Sequence, residues 1–306
     1  MLSFPILSHR LKMNYPEYES WINKEEIYVD KLTEVNINRL HYTLNLPGPP
    51  PALGEPVFPL ALLILGEPSV RPEELGDDGH PARGGFMPPV PLKRRMFAGG
   101  NYEFFQPLNV GENVHVSWKI TDITRKTGSS GELVFVDILK EFKVNQQLCA
   151  TENRYIVYTD SKPKTSQTEK TEMPGEWEEV IKTNAIQLFR YSALTFNGHR
   201  IHYDRTYATE MEGYPGLVVH GPLLATMLSL FAERKTGRKL SKFRIGDLVQ
   251  FDLTRTTGLI LNVKESKVFH PSEDITEVLV LWADGEKFWC LDFTLLLISK
   301  RKNNND

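Results

Sequence analysis

The stretch His220-Gly-Pro-Leu-Leu-Ala-Thr-Met-Leu-Ser-Leu-Phe-Ala-Glu-Arg234 decides the fold class. Leu223, Leu224, Met227, Leu228, Leu230 and Phe231 occupy more than one helical face, so the spacing predicts a helix buried over most of its surface. Strand patterns follow at 243–253, 258–266, 276–284 and 287–298, separated by turn signals such as Asp284-Gly285. One buried helix followed by antiparallel strands predicts an α+β arrangement in which a sheet wraps around the helix.

The first half of the chain has the same ending. From Tyr102 the period is two: Val114, Val116, Trp118 and Ile120 alternate with His115, Ser117 and Lys119, the pattern of a half-buried strand. Lys126–Gly131 reads as a turn, 133–144 and 148–158 as strands, and Asn145-Gln-Gln147 as their hairpin. Residues 159–176 are polar apart from Met173 and read as a linker, dividing the chain into halves at 1–158 and 177–306. Two halves with one plan suggest an internal duplication. Upstream, 17–45 is predicted to be helical, and three consecutive prolines within Leu46–Pro56 forbid helix. Phe58–Leu65 reads as core, and 73–91 as a long Gly/Pro-rich loop of the kind that often lines a site. A helix is expected at 184–193.

Composition narrows the function. The net charge is −3, which gives no basic footprint for nucleic acid. No apolar run approaches the ~20 residues that cross a bilayer. Cys149 and Cys290 each lie in strand-like patterns, so no disulfide framework is expected and a reducing compartment is the simpler reading. Residues 1–12 are basic and slightly apolar; cytoplasm is expected, with the mitochondrial matrix as the alternative.

The chemistry-bearing segment is Ser192-Ala-Leu-Thr-Phe-Asn-Gly-His-Arg-Ile-His-Tyr-Asp204, followed by Gly213-Tyr-Pro-Gly-Leu-Val-Val-His-Gly-Pro-Leu223. These blocks resemble the hydratase site of MaoC-like hot-dog proteins. Arg83–Glu103 and Gln106–Glu112 look like the N-terminal half of the double hot-dog type 2 hydroxyacyl-thioester dehydratases, to which mesaconyl-CoA and itaconyl-CoA hydratases are similar. The resemblance covers 18–298 and implies a double hot-dog: two antiparallel sheets, each wrapped around a central helix. It also implies catalytic groups from the C-terminal half only, with the N-terminal half shaping the acyl pocket. In the wider pattern Gly-Asp-x-Asn-Pro-(Ile/Leu)-His, alignment on Ile201-His202 puts Asn197 at the Asp, His199 at the Asn and Arg200 at the Pro.

Adding water to a double bond conjugated with a thioester needs a base for the water, an acid for the α-carbon and donors for the enolate oxygen. His202 suits the base, since imidazole titrates near neutrality. Asn197 can hold the water but cannot relay its proton. By the resemblance Gly221, at a helix N-terminus with unpaired donors, serves the oxyanion. Asp204 is a candidate to orient His202, and Tyr203 or His199 to act as the acid. His220 is read either as a helix cap or as catalytic. Arg94 and Arg95, with Lys93, suit the phosphates of CoA or phosphopantetheine, or else form a solvated basic face. Arg200 suits a carboxylate on the acyl group, with His199 and Tyr203 also placed at the substrate. Two histidines three apart, without a Glu-x-x-His or a Cys pair, do not make a metal site; no metal or cofactor is expected.

The expected reaction is hydration or dehydration of an acyl-CoA or acyl-carrier thioester. Small dicarboxylic substrates (mesaconyl-CoA or itaconyl-CoA, giving citramalyl-CoA) compete with straight-chain 3-hydroxyacyl thioesters. A hot-dog thioesterase and a non-catalytic acyl-thioester binding subunit are the alternatives. No nucleic acid or membrane partner is expected, and a homodimer is compatible with the reading.

Overall fold

The computed structural model describes residues 16–128, 131–161, 177–237, 242–245, 261–263, 278–283 and 292–299. The helix α3, Gly221–Thr236, is buried along nearly its whole length. Leu223, Ala225, Leu228 and Phe231 have no exposed surface, and even Thr226 and Ser229 are buried. Two turn-internal hydroxyl bonds explain how these polar groups are tolerated: Thr226 donates to the Pro222 carbonyl and Ser229 to the Thr226 carbonyl. Gly237, in the left-handed region at φ 67°, ends the helix.

Among the described residues, ten strands form two antiparallel sheets. They are β1 Glu25–Lys31, β2 Arg94–Phe104, β3 Asn113–Gly128, β4 Gly131–Val144, β5 Gln147–Thr159, β6 Trp177–Lys182, β7 Lys242–Ile245, β8 Leu261–Val263, β9 Val278–Ala283 and β10 Asp292–Ser299. The larger sheet runs β1-β3-β4-β5-β2-β7 and the smaller β6-β10-β9-β8. Val114, Val116, Trp118 and Ile120 on β3 face the core, as their alternation requires. The β4–β5 hairpin turns through Asn145 (φ 49°) and Gln146 (φ 66°), a two-residue loop whose handedness matches the strand twist. The pairing of β2 with β7, Gly100 opposite Ile245, joins the two halves edge to edge. The double hot-dog architecture is therefore present, with its linker segment 162–176 outside the described residues, as are Cys290, the Asp284-Gly285 turn and most of the 243–266 strand patterns.

Three local expectations are corrected. The helix expected over 17–45 is broken: a 3-10 turn at Pro16–Trp21 leads into strand β1, and only α1, Glu34–Thr43, is α-helical. Thr33 caps α1 by accepting from the Asn36 N–H at 3.2 Å, and β1 is a sheet edge whose Ile27 and Val29 face outward, so its apolar residues do not mark a buried strand face. Second, β2 begins at Arg94, well before Tyr102. Its Gly99-Gly100 pair follows a bulge at Ala98, and Gly100 lies against the Tyr102 hydroxyl and the Asn153 carbonyl. Third, the helix of the N-terminal half that meets α3 is a short 3-10 helix, Pro59–Ile64, in place of an α-helix. It packs on α3, and Leu60 to Leu65 are all buried. Pro56, Pro59 and Pro68 bracket a segment too short for more.

Behind that turn lies a charge network of two cations and two carboxylates. Lys140 contacts Glu67 (3.3 Å) and Glu152 (3.7 Å); Arg154 contacts the same two at 3.1 and 2.8 Å. The Trp118 ring is flanked by both cations, so these buried charges are balanced as well as packed.

Candidate active site

The His motif enters from α2, Ala185–Leu194. Asn184 caps that helix, its side chain accepting from the Gln187 N–H at 3.0 Å. After α2 the chain turns through Phe196 in the left-handed region, and the Asn197 N–H returns to the Ser192 carbonyl at 2.9 Å. The Asn197 side-chain oxygen then accepts from the His199 N–H at 3.0 Å, which shapes the loop that carries His199 inward. His202 sits in a short 3-10 turn, Arg200–His202.

His202 and His199 are both buried, at 6% exposure. The His202 Nδ1 lies 2.7 Å from the Val218 carbonyl oxygen. A carbonyl only accepts, so Nδ1 carries the proton and Nε2 presents a lone pair. Burial lowers the His202 pKa to about 4, the Val218 bond opposing the shift in part. The ring is therefore a neutral base throughout the physiological range.

His202 belongs to a row of four imidazoles. His220 stacks on it with centroids 3.7 Å apart, His199 meets it edge-on at 5.4 Å, and His80 lies 4.6 Å from His199. Burial holds the pKa values of His80, His199 and His220 well below the usual histidine range. Arg95 adds to the shift at His80, and His202 to those at His199 and His220. Among the described residues no cluster of His, Cys, Asp or Glu has the arrangement to hold a metal ion.

This row makes stability pH-dependent. The folded state keeps the four rings neutral, whereas the unfolded chain protonates them near pH 6.5. Between about 4, the His202 value, and 6.5 the unfolded state binds more protons, so stability present above 6.5 is lost as pH falls through that window. Urea midpoints are expected to fall steadily from pH 7.5 to pH 5; a constant midpoint would contradict neutral burial.

Several sequence-expected roles change place. His220 stands at the N-cap of α3 but its side chain makes no cap bond; its Nε2 is 2.8 Å from the Ser192 hydroxyl instead. Ser192→Ala leaves that ring nitrogen buried and unpaired, at an expected cost of about 1–3 kcal/mol in denaturant unfolding. Asp204 does not orient His202. Its carboxylate pairs with Arg200 at 2.7 Å and caps the Tyr207 N–H at 3.0 Å, while Val218 does the orienting. Arg200 also donates to the Asp77 carbonyl, so its guanidinium is engaged on three sides by protein. The Tyr203 hydroxyl donates to the Gly198 carbonyl at 2.8 Å and closes the same loop.

Arg94 and Arg95 form no solvated basic face; both are buried and face carboxylates. Arg94 binds Glu212 through its Nε at 2.5 Å and the Glu212 carbonyl through a second nitrogen at 2.6 Å. Arg95 binds Asp78 at 3.1 Å. Their geometry suits holding loops together rather than meeting phosphates in solvent.

The structure also supplies a site residue that sequence reasoning did not single out, His80 of the N-terminal half. The Asp78 carbonyl accepts from the Arg200 N–H at 2.9 Å, and Gly79 and Gly198 meet backbone to backbone. A Cβ on either glycine would overlap the other's carbonyl oxygen. The signal available in the sequence was the Gly/Pro-rich 73–91 loop itself.

The start of α3 completes the arrangement. Pro222 has no N–H, so Gly221 and Leu223 carry the donors ahead of the first return bond, Leu224 N–H to the His220 carbonyl at 3.0 Å. Gly221 leaves no room for a Cβ, which would enter the Phe97 ring on β2. The start of α3 is brought to the neutral base by His220, the residue before Gly221, whose ring stacks on His202.

Comparison with known proteins agrees. The model of the family hydroxyacyl-thioester dehydratase type 2 matches residues 61–245. The mesaconyl-C(4)-CoA hydratase of Chloroflexus aurantiacus is 38% identical over 234 residues, 76% of this chain and 84% of that protein. The mitochondrial hydroxyacyl-thioester dehydratase type 2 of Schizosaccharomyces pombe is 32% identical over 187 residues, 51% of this chain and 61% of the relative. The fold is shared with a MaoC-like dehydratase from Phytophthora capsici, at TM-score 0.56 and 12% identity over 92% of this chain and 97% of that one. The chain carrying this histidine row belongs to the hydroxyacyl-thioester dehydratase type 2 family.

Proposed function

We propose that the chain is a hydro-lyase adding water reversibly across the double bond of an enoyl thioester. The observation that carries this is the fixed tautomer of His202, with Nδ1–H on the Val218 carbonyl and Nε2 left as a neutral base. In hydration, Nε2 takes a proton from water while the water oxygen bonds to the β-carbon and the π electrons move to the thioester oxygen. The enolate forms against the Gly221 end of α3, and the imidazolium returns the proton to the α-carbon. The Asn197 amide N–H₂ holds the water. One histidine thus serves both transfers, which removes the need for the Asp that Asn197 replaces.

For the acyl group we propose a small dicarboxylic CoA thioester, mesaconyl-CoA or itaconyl-CoA yielding citramalyl-CoA, on the strength of the Chloroflexus relative. The Schizosaccharomyces relative favours a second substrate class, straight-chain 3-hydroxyacyl thioesters. The unpaired, buried Cys149 is in keeping with a reducing compartment such as the cytoplasm. The test is a panel of enoyl-CoAs followed by the conjugated thioester's absorbance and by thiol release. Absorbance lost without thiol supports the hydratase; absorbance lost with stoichiometric thiol makes it a thioesterase, and no change makes it a binder.

A further inference from the structure

The geometry points to a nucleotide subsite: the groove between α1 and α2 receives the 3′-phosphoadenosine diphosphate end of a coenzyme A thioester. This rests on the thioester reading above and adds a place for the half of the substrate that does not react.

The groove has a volume of about 690 Å³ and is lined from both helices and from the segment after the Pro59–Ile64 turn. Its two cations, Arg39 and Arg190, are exposed and have no carboxylate partner among the described residues. Of its two carboxylates, Glu67 is compensated within the buried network with Lys140 and Arg154, whereas Asp30 accepts from the Gly66 and Lys31 N–H groups and keeps its charge. Arg39 and Arg190 against Asp30 leave the lining one positive charge in excess, with two guanidiniums free to meet phosphate.

Three aromatic rings line the same groove with most of their surface in solvent: Tyr42, Phe189 and Phe196. Phe196 is the informative one. It sits at the helix-ending position usually given to glycine, with φ at 50°, and is 62% exposed. A bulky residue held in the left-handed region costs stability, and an exposed ring returns little of it by burial. The ring is accounted for if a base stacks on it. Phosphate-binding guanidiniums beside stackable rings are what a phosphorylated adenosine requires.

The placement also fits the reaction. Leu188, Tyr191 and Ser192 form the inner face of α2, against His220, and Phe189 and Arg190 its outer face. Phe196 stands where the two faces meet, at the end of the helix. His202 lies six positions further along the chain, which bounds the distance between their Cα atoms at roughly 20 Å. A pantetheine arm passing round that helix end connects the groove to the base. An acidic carrier protein is less suited, since the cations lie in a concave groove rather than on a convex face.

The experiment is calorimetric titration with coenzyme A and with 3′,5′-adenosine diphosphate, using the full chain, Arg39→Ala/Arg190→Ala and Phe196→Gly. Both ligands are expected to bind the unaltered chain, and the double variant to weaken each by about tenfold or more, as loss of charge-assisted bonds implies. Phe196→Gly is expected to weaken binding while keeping or raising Tm, a combination that a structural role for the ring does not give. Kinetics add a second readout: kcat/KM for an enoyl-CoA should fall more than for the same acyl group on N-acetylcysteamine. Equal losses on both, or unchanged coenzyme A affinity in the double variant, overturn the subsite. So does selective loss with an acyl-carrier thioester, which would assign the groove to a protein. If coenzyme A binds in the groove but no enoyl thioester is hydrated, the subsite stands and the hydratase reading falls.

Discussion

His202→Ala is expected to lower kcat for hydration about 10²–10⁴-fold, the usual worth of a positioned general base. The loss should fall on kcat more than on KM, because the ring is buried and its role is in proton transfer rather than in gross binding. The pH profile of the unaltered protein gives an independent check. With the free-enzyme pKa at about 4, kcat/KM should be flat from roughly pH 5.5 to neutrality and fall as pH drops towards 4, because protonation removes the base. A profile that instead fell away below pH 6.5 would mean that the ring is hydrated and ordinary. Retention of near-normal rate by His202→Ala would remove it from the mechanism altogether.

Gly198→Ala is the second large effect. The new Cβ has nowhere to go: it meets the carbonyl oxygen of Gly79, which is backbone and cannot swing aside. The loop bearing Asn197 and His199 must separate from the loop bearing Asp78 and His80, and the Arg200 N–H bond to the Asp78 carbonyl is strained or lost. Misplacement of catalytic groups by about 1 Å costs on the order of 10² in rate, so kcat/KM is expected to fall by at least that factor. Tm should fall too, since the contact links the halves. Gly79→Ala should do the same, and more severely, because its φ of 87° disfavours any side chain. Normal activity in either variant would show that the two loops are free to part without harm.

The residues that were readable in advance are those whose information is local. The α3 helix could be read because apolar residues on more than one face require burial over most of its surface, and β3 to β5 because their apolar and polar residues largely alternate. The segment Asn197–His202 could be singled out because its polar residue types lie close together in the chain. What could not be read depends on pairs distant in sequence. His80 acquires meaning only through the Gly79–Gly198 contact, and Arg94 becomes a buried clamp only when Glu212 arrives from the other half. Strand β1 was hidden for a different reason. As an edge it presents Ile27 and Val29 outward, so its apolar residues mark the solvent face rather than a buried one, and its period-two run is only seven residues long. At β2, the two glycines and the flanking arginines conceal a strand whose bulge they create.

The pairing of β2 with β7 has a consequence for how the protein is made. While the chain is being synthesised, the N-terminal half is complete through β5 before any of β7 exists, so β2 waits with an unpaired backbone edge. Open edges invite pairing with other chains, and contacts between distant segments form slowly. The nascent protein therefore passes through a stage in which the edge that later joins the halves stands open.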